Sequence, residues 1–327
     1  MKTQRDVQIL FSGAIPGKDP FGIRAVLGVL ETSTGKVTHL AEYEPPRELH
    51  AGQNIQFTGF RRVGDSLFVC SFNEILEYRG WPPPGEPTRR ISHPQFNDLH
   101  DCHPWREGLL VANTGLETVD HVSVEGKLLR RWDLLAGESD ARVIDETVDY
   151  RLIASTKPHF RHVNHVFTLD DEVWATRLQL WDAACLTRPG PTISIEAGMP
   201  HDGIPLGDVV LFTTTNGHLV FGDPRDASQT RTHRLVELTP DLDQLGWCRG
   251  VCAHPDDPDL WFVSFSKARR SKWRDMGFWI RYGHDNPQGR ICLYDLARGE
   301  LQETWPIGPE PGFVMFQLEA LPPQLWI

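Results

Sequence analysis

Short apolar runs recur along the whole chain, separated by polar turns, at intervals of roughly 40 to 60 residues. Runs of three or four residues bounded by turn residues, with little helical periodicity between them, predict short β-strands. The runs are Leu67-Phe-Val-Cys70, Leu109-Leu-Val-Ala112, Val173-Trp-Ala175, Val209-Val-Leu-Phe212, Leu260-Trp-Phe-Val263 and Leu325-Trp-Ile327. A fixed period of this length in β-rich units is typical of a β-propeller, in which every blade presents its innermost strand to a central channel.

One repeat illustrates the strands of a single blade, predicted over 96–104, 109–114, 118–124 and 127–134. The sequence therefore predicts an all-β fold, a six-bladed β-propeller that forms one domain over residues 1–327. The predicted blades span 44–92, 93–136, 157–197, 198–240, 245–307, and 308–327 together with 7–43. Because the C-terminus stops after two predicted strands, N-terminal strands are expected to complete the last blade and close the ring.

Three histidines, His100, His162 and His201, fall at the same position of three consecutive repeats. Side chains alternate between the faces of a strand, so equivalent positions on neighbouring blades point at one axis. The first His of each His-x-x-His pair is therefore expected in the channel, and the second, His103 or His165, between blades. The neighbours expected in the channel are Phe57, Arg249 and Met315 in the same register; Asp98, Phe160, Met199 and Trp247 two positions earlier; and Asn164 and Gln317 two positions later.

The converging imidazoles are the main candidates for catalytic or metal-binding groups. Neutral imidazole is the commonest metal ligand, and His100, His162 and His201 are predicted to hold a divalent metal, zinc or iron(II). Asp98 is the candidate general base, and Arg249 the candidate clamp for a carboxylate or a developing oxyanion. The residues predicted to bind the substrate are Phe57, Phe160, Met199, Trp247, Asn164, Met315 and Gln317. The alternative for each His is a structural hydrogen bond to a neighbouring strand. For Arg249 it is an ion pair between blades with Asp101 or Asp202, which are expected to point away from the channel.

Charge and hydropathy narrow the classes of partner. The formal net charge of -11 argues against binding to nucleic acid. No apolar stretch approaches the ~20 residues that a membrane span needs, and the first residues lack the apolar segment of a signal peptide. The six cysteines have no framework spacing and are expected to be reduced and buried. These features predict a cytoplasmic protein that binds a small-molecule substrate, with the aromatic segment 266–289 as a lid over the channel.

Two short motifs carry a family resemblance. Pro200-His201-Asp202-Gly-Ile and Leu99-His100-Asp101 resemble the His-Asp pattern of the carotenoid cleavage oxygenases, propellers that hold iron by histidines from separate blades. The general plan also resembles the six-bladed lactonase and peptidyl amidating-lyase propellers, and these resemblances imply a metal on the axis. The chain has six predicted blades where the carotenoid oxygenases have seven, and Arg249 stands where a fourth ligand would be expected. The carboxylate and amide ligands of the lactonases are absent from this register, whereas the amidating lyases use histidines.

The predicted function is a metal-dependent enzyme, a lyase or a hydrolase, that acts on a small, partly apolar organic substrate in the channel. A non-haem iron oxygenase acting on an apolar substrate is the second enzymatic alternative. The non-enzymatic alternative is a propeller that serves as an interaction platform on its rim or on one face. A platform is expected to carry a large apolar or charged surface patch, whereas the unusual residues of this chain are predicted near the axis.

Overall fold

The computed structural model describes residues 6–15, 24–49, 52, 55–138, 143–240, 242, 245–267, 288–309 and 313–327. The lid expected over 266–289 lies almost entirely outside the described residues. Within the described ranges the helical segments are single 3-10 turns at Arg47–Leu49, Thr114–Leu116, Tyr150–Leu152, Leu178–Leu180, Ala227–Gln229 and Pro323–Leu325.

The strands form six antiparallel sheets of four strands each. The N-terminal strands β1 (Gln8–Ile15), β2 (Arg24–Glu31) and β3 (Lys36–Tyr43) belong to blade 6. Blade 1 contains β4 (Phe60–Val63), β5 (Ser66–Cys70), β6 (Ile75–Arg79) and β7 (Arg89–Ile91). Blade 2 contains β8 (Leu99–Trp105), β9 (Gly108–Asn113), β10 (Thr118–Ser123) and β11 (Leu128–Asp133). Blade 3 contains β12 (Val163–Leu169), β13 (Glu172–Arg177), β14 (Asp182–Cys185) and β15 (Thr192–Ser194). Blade 4 contains β16 (Pro200–Leu206), β17 (Val209–Thr214), β18 (His218–Gly222) and β19 (Arg231–Arg234). Blade 5 contains β20 (Trp247–His254), β21 (Asp257–Ser266), β22 (Arg290–Asp295) and β23 (Glu300–Pro306), and β24 (Val314–Leu321) completes blade 6.

The innermost strands contact one another in ring order, β4, β8, β12, β16, β20 and β24. The side chain of Gln317 on β24 joins the last blade to the first, because it donates to the Phe60 carbonyl and accepts from the Phe60 amide, both at 2.8 Å. The prediction of an all-β, six-bladed propeller is therefore confirmed.

The closing blade pairs β24 antiparallel to β1, from Gln8 opposite Leu321 to Ala14 opposite Val314. N- and C-terminal strands therefore join in one sheet, as predicted. The expected second C-terminal strand at 325–327 is wrong: after β24 the chain forms a 3-10 turn at Pro323–Leu325. Two successive prolines, Pro322 and Pro323, lack the amide hydrogens that a further strand would need. The Gln8 side chain instead fixes the terminus by two hydrogen bonds of 2.9 Å to the backbone of Ile327.

The hydrophobic core lies between blades, and it includes two residues that the sequence placed in the channel. Phe57 is fully buried and stacks on Tyr43 of blade 6, with ring centroids 5.9 Å apart. Met315 is also fully buried and belongs to the cluster between blades 5 and 6. The expected register is therefore wrong by one residue in these blades, because a one-residue shift moves a side chain to the other face of its strand. Their neighbours Gln56 and Phe316 face the channel instead.

Each innermost strand of blades 2 to 5 contains a β-bulge near its start. Ladder pairing is interrupted at His100, at Asn164, at Asp202 with Gly203, and at Gly250. A bulge inserts an unpaired residue, bends the strand and restarts the alternation of faces. Side chains therefore do not alternate regularly across these positions, and two that are three residues apart can point to the same side.

The described part of the chain contains no helix that is long and apolar enough to cross a membrane. All six cysteines are free, and five of them are buried.

Candidate functional site

A cavity of about 540 Å³ opens at the end of the channel where the innermost strands begin. Four imidazoles line it, those of His100, His159, His162 and His201. The described lining also contains three cationic side chains, Lys157, Arg249 and Lys267, and one carboxylate, Asp98. Its apolar surface includes Met199, Trp247 and Phe316. The site is therefore rich in nitrogen donors and positive charge, with one aromatic side.

The three histidines predicted from the repeats do meet in this cavity. The ring centroids of His100 and His162 lie 5.0 Å apart, and those of His100 and His201 lie 6.4 Å apart. Asp98, Arg249, Met199 and Trp247 line the same cavity.

Five other predicted channel residues are not part of the lining. Phe57 and Met315 lie between blades, and Gln317 bonds to the backbone of Phe60. Asn164 is buried and donates to the Pro200 carbonyl at 2.9 Å, which ties blade 3 to blade 4. Phe160, in the segment before β12, is 36% exposed.

The shared register of the three histidines is wrong by two residues in blade 3. Trp105, Leu169 and Leu206 occupy equivalent positions, because each pairs across a two-residue turn with the residue three places further on. Counting back five residues from each gives His100, Asn164 and His201 at one level of the channel. Counting back seven gives Asp98, His162 and Met199 one level nearer the mouth. The backbone agrees, since Asp98 and His162 both adopt left-handed conformations, with φ of 49° and 51°.

Asp98 and His100 form the first polar pair of the site. Oδ1 of Asp98 lies 3.5 Å from Nε2 of His100, and both side chains are largely buried. Burial alone would raise the pKa of the Asp98 carboxyl. The hydrogen bond and electrostatic interaction with His100, with smaller electrostatic contributions from His159 and His162, outweigh burial and hold this pKa well below its usual range. Asp98 therefore stays ionised and acts as a fixed negative charge within a ring of imidazoles.

His162 is held from its backbone by a buried carboxylate. Glu117 is fully buried, and its side chain accepts hydrogen bonds from the backbone amides of Phe160, Arg161 and His162, the last at 2.7 Å. Successive amides that converge on one anion form a nest, a concavity suited to negative charge. Glu117 thus fixes the left-handed backbone that turns His162 toward the cavity.

Burial lowers the pKa of the His162 imidazole well below its usual value, and the charges of His100 and His159 lower it further. The same holds for His201, where burial is reinforced by the charge of Arg249. Both rings are therefore neutral at neutral pH and carry a nitrogen lone pair.

Arg249 contacts two aromatic rings of the cavity lining. Its guanidinium carbon is 4.7 Å from the centroid of Trp247 and 4.2 Å from that of Phe316. Contact with both rings orients the planar guanidinium, whose fork of N–H groups suits carboxylate and phosphate oxygens.

A second polar cluster lies deeper in the channel. Arg61, Asp101 and His165, from blades 1, 2 and 3, meet with the Asp101 carboxylate 3.2 Å from both partners. The His165 ring also contacts Arg61, at 3.1 Å. The expectation that His165 and Asp101 face away from the channel is therefore wrong, because the bulges at His100 and Asn164 reset the alternation. Burial raises the pKa of Asp101 to about 7, against the lowering effect of Arg61.

The cavity offers imidazole nitrogens that a metal ion could use. Among the described residues, no group of three or more His, Cys, Asp or Glu side chains is placed so that it could hold a metal. One member of the set nevertheless has the arrangement typical of a metal-binding histidine. His100 faces a carboxylate through Nε2, while its Nδ1 is buried and has no hydrogen-bond partner among the described residues.

Several residues of the site are not predicted from the sequence. His159 and Lys157 come from the irregular segment before β12, and Gln179 follows β13. Residues outside the strands have no register, so period-two reasoning could not place them. The available signal was the spacing, since His159, His162 and His165 continue one His-x-x-His pattern.

No protein-family model and no curated protein matches the sequence. Several solved structures are similar to this chain in fold. A protein of unknown function from Bacteroides caccae is similar over 97% of this chain and 99% of its own, with a TM-score of 0.62 and 9% identity. A chain of the nidogen–laminin complex is similar over 95% and 97%, with a TM-score of 0.54 and 10% identity. A Bacteroides uniformis ATCC 8492 protein whose proposed activity is that of a 6-phosphogluconolactonase is similar over 95% and 82%, with a TM-score of 0.50 and 14% identity. At these identities the likeness shows a common propeller fold.

Proposed function

We propose that this chain is an enzyme, a hydrolase or a lyase, that acts on a small organic anion in the channel cavity. The observation that carries the proposal is a local reversal of charge. The described lining holds three cationic side chains, Lys157, Arg249 and Lys267, and one carboxylate, Asp98, in a chain whose formal net charge is -11. A cleft of one sign with low-dielectric walls raises the local concentration of ligands of the opposite sign. The volume of about 540 Å³ suits a metabolite-sized molecule.

Arg249 is the proposed anchor for the anionic end of the substrate. The aromatic rings of Trp247 and Phe316 restrict its guanidinium, so little side-chain freedom is lost when a carboxylate or phosphate binds. Met199 and the same aromatic rings would contact an apolar part of the substrate. A substrate with one anionic end and a short apolar portion fits both surfaces.

His162 is the proposed proton acceptor. Its lowered pKa keeps the ring neutral, and a neutral imidazole can take a proton from water in a hydrolase or from carbon in a lyase. Asp98 already pairs with His100 as an ionised carboxylate, so we assign the base role expected from the sequence to the imidazole of His162. We propose that the Asp98 carboxylate instead stabilises the positive charge that develops on the imidazoles around it.

Metal dependence is a second proposal for the same cavity. The arrangement of His100, with a carboxylate on Nε2 and a buried Nδ1, favours it. Zinc or iron(II) are the metals suited to imidazole donors, and a bound metal would polarise a carbonyl or activate water. Elemental analysis of protein purified without chelators, beside a variant with His100, His162 and His201 all changed to Ala, tests this. Equal metal content in the two proteins would rule the site out, and oxygen consumption with added iron would support an oxygenase.

The free cysteines support a reducing, cytoplasmic location for this enzyme.

Turnover of a defined substrate panel tests the main proposal. Carboxylated lactones, phosphorylated lactones and 2-hydroxy acids are incubated with the wild type, Arg249→Met and His162→Gln, and products are followed by proton NMR. Loss of a general base is expected to lower turnover by about 10²–10⁴-fold. The control is Arg225→Met, a surface Arg whose side chain is 65% exposed and pairs with Asp208. Wild-type turnover in both cavity variants would refute the proposed active site and favour an interaction platform.

A further inference from the structure

The cationic side chains of the cavity lining come from two separate parts of the ring. Arg249 lies on β20 of blade 5, and Lys267 directly follows β21 of the same blade. Lys157 comes from the segment before β12, the innermost strand of blade 3. Because β12, β16 and β20 contact one another in this order, blade 4 separates the two groups. Positive charge is therefore presented to the cavity at two separate positions.

The two cations interact with different imidazoles. Burial lowers the pKa of His201, and the charge of Arg249 lowers it further. For His162, burial and the neighbouring imidazoles lower the pKa, and the charge of Lys157 adds to this effect. Electrostatic interactions weaken with distance, so Arg249 acts beside the histidine of blade 4 and Lys157 beside the histidine of blade 3.

Lys157 is exposed in the cavity lining and forms no ion pair with a carboxylate of the described residues. The one carboxylate of the described lining, Asp98, lies 3.5 Å from His100 and pairs with that ring instead. An exposed ammonium is a compact point charge that can bind an anionic group of a ligand. Positive charge therefore remains at Lys157 after one anionic group of a ligand has bound to Arg249.

The lining between these two cations includes apolar side chains. Met199 directly precedes β16 of blade 4 and is half-buried, and Leu178 is buried at the start of the 3-10 turn that follows β13 of blade 3. A few apolar contacts among convergent polar groups are typical of a small-molecule site. This part of the cavity suits a short hydrocarbon spacer.

We propose that the substrate is an organic dianion, with one anionic group bound by Arg249 and a second, at the other end of a short apolar spacer, bound by Lys157. The inference rests on the proposed function, since it adds a second anionic group to the substrate proposed there. Lys157 is then a specificity-determining residue that favours dianions over monoanions of the same shape. Carboxylate and phosphate groups share the chemistry that an ammonium recognises.

Calorimetric titration of matched acids tests the second anionic group. The diacids from malonate to adipate are titrated at low ionic strength, each beside its monoamide, which has nearly the same shape and one charge fewer. The wild type is expected to bind at least one diacid about three- to fivefold more tightly than its monoamide, the gain typical of an exposed ion pair. Phosphonocarboxylates of the same lengths show whether a phosphate-like group is preferred as the second anion.

Variants of the two cations assign the anionic groups. Lys157→Met is expected to abolish the preference for the diacid and to leave binding of the monoamide unchanged, whereas Arg249→Met should weaken the binding of both. Lys157→Arg keeps the charge and should retain the preference. Lys127→Met is the matched control, because Lys127 is exposed in the turn between β10 and β11 and its loss changes the net charge equally.

The outcomes separate this inference from the proposed function. If diacids and monoamides bind equally and both depend on Arg249, the proposed anion site stands and the dianion is wrong. A preference for the diacid that persists in Lys157→Met also overturns the inference. Failure of the wild type to bind any of these acids would contradict both.

Discussion

Changing Glu117 to Gln is expected to cost about 2–4 kcal/mol of folding free energy and to loosen His162. The Glu117 carboxylate accepts from three consecutive backbone amides and is fully buried. A hydrogen bond to a charged acceptor contributes about 1.5–3 kcal/mol, and a buried donor without a partner costs about 1–3 kcal/mol. In Gln an NH₂ group replaces one of the two oxygens, so at least one backbone amide would face a donor.

Guanidinium unfolding with linear extrapolation measures the loss, and hydrogen exchange at 160–162 reports whether the segment opens. Glu138→Gln is the matched control, because Glu138 also pairs within this segment, with Arg161 at 2.9 Å, but its side chain is 53% exposed. An exposed ion pair is worth less than about 1 kcal/mol. If Glu117→Gln were as stable as Glu138→Gln and exchanged its amides no faster than the wild type, the nest would not be what holds His162.

Three further outcomes test other parts of the structure. The pKa of Asp101 is raised to about 7, so the native state holds a proton that the unfolded state has released, and stability should fall as pH rises from about 4 to about 7. Urea unfolding at several pH values across this range should show that the unfolding free energy of Asp101→Asn changes less with pH than that of the wild type. An equal pH dependence in the two proteins would contradict the raised pKa of Asp101. Phe57→Ala should lower the folding free energy by about 3–5 kcal/mol because the side chain is fully buried between blades. Gln56→Ala, in the cavity lining, should lower it far less. If calorimetry gave the reverse order, the register that places Phe57 in the channel would be the correct one. Gly59→Ala should destabilise the ring by about 1–3 kcal/mol, because an added Cβ would lie 2.2 Å from Oδ1 of Asp101, and a neutral effect in denaturant unfolding would argue against this close approach.

The six-bladed architecture was predictable because it depends on the repeat of apolar runs, which local irregularities such as β-bulges do not change. Repeats of short apolar runs required several equivalent sheets, and the apolar N-terminal segments supplied the strands that the C-terminus lacked. His100 and His201 lie at the same distance before hairpins of equal length, which is why the repeats aligned them.

The details of the site could not be obtained in this way. The alternation of side chains assigns each residue to a face of its strand but does not fix its depth along the channel. Aligning His162 with His100 therefore agreed with the alternation as well as the observed alignment of Asn164 with His100 does. Bulges at the strand starts then reset the faces and brought His165 to Arg61, which no alternation rule anticipates. His159 was missed because its place depends on a folded connection held by Asn97 and Glu117, both distant in sequence.

Binding of a small organic anion to the cavity tests the central claim most directly. Malonate is titrated calorimetrically, at low ionic strength, into the wild type, Arg249→Met and the surface control Arg225→Met. The wild type and the control are expected to bind alike, and Arg249→Met should bind about tenfold or more weakly, because a charge-assisted hydrogen bond is worth about 1.5–3 kcal/mol. Equal binding by the wild type and Arg249→Met, or no binding by the wild type, would contradict the assignment of this cavity as a site for organic anions.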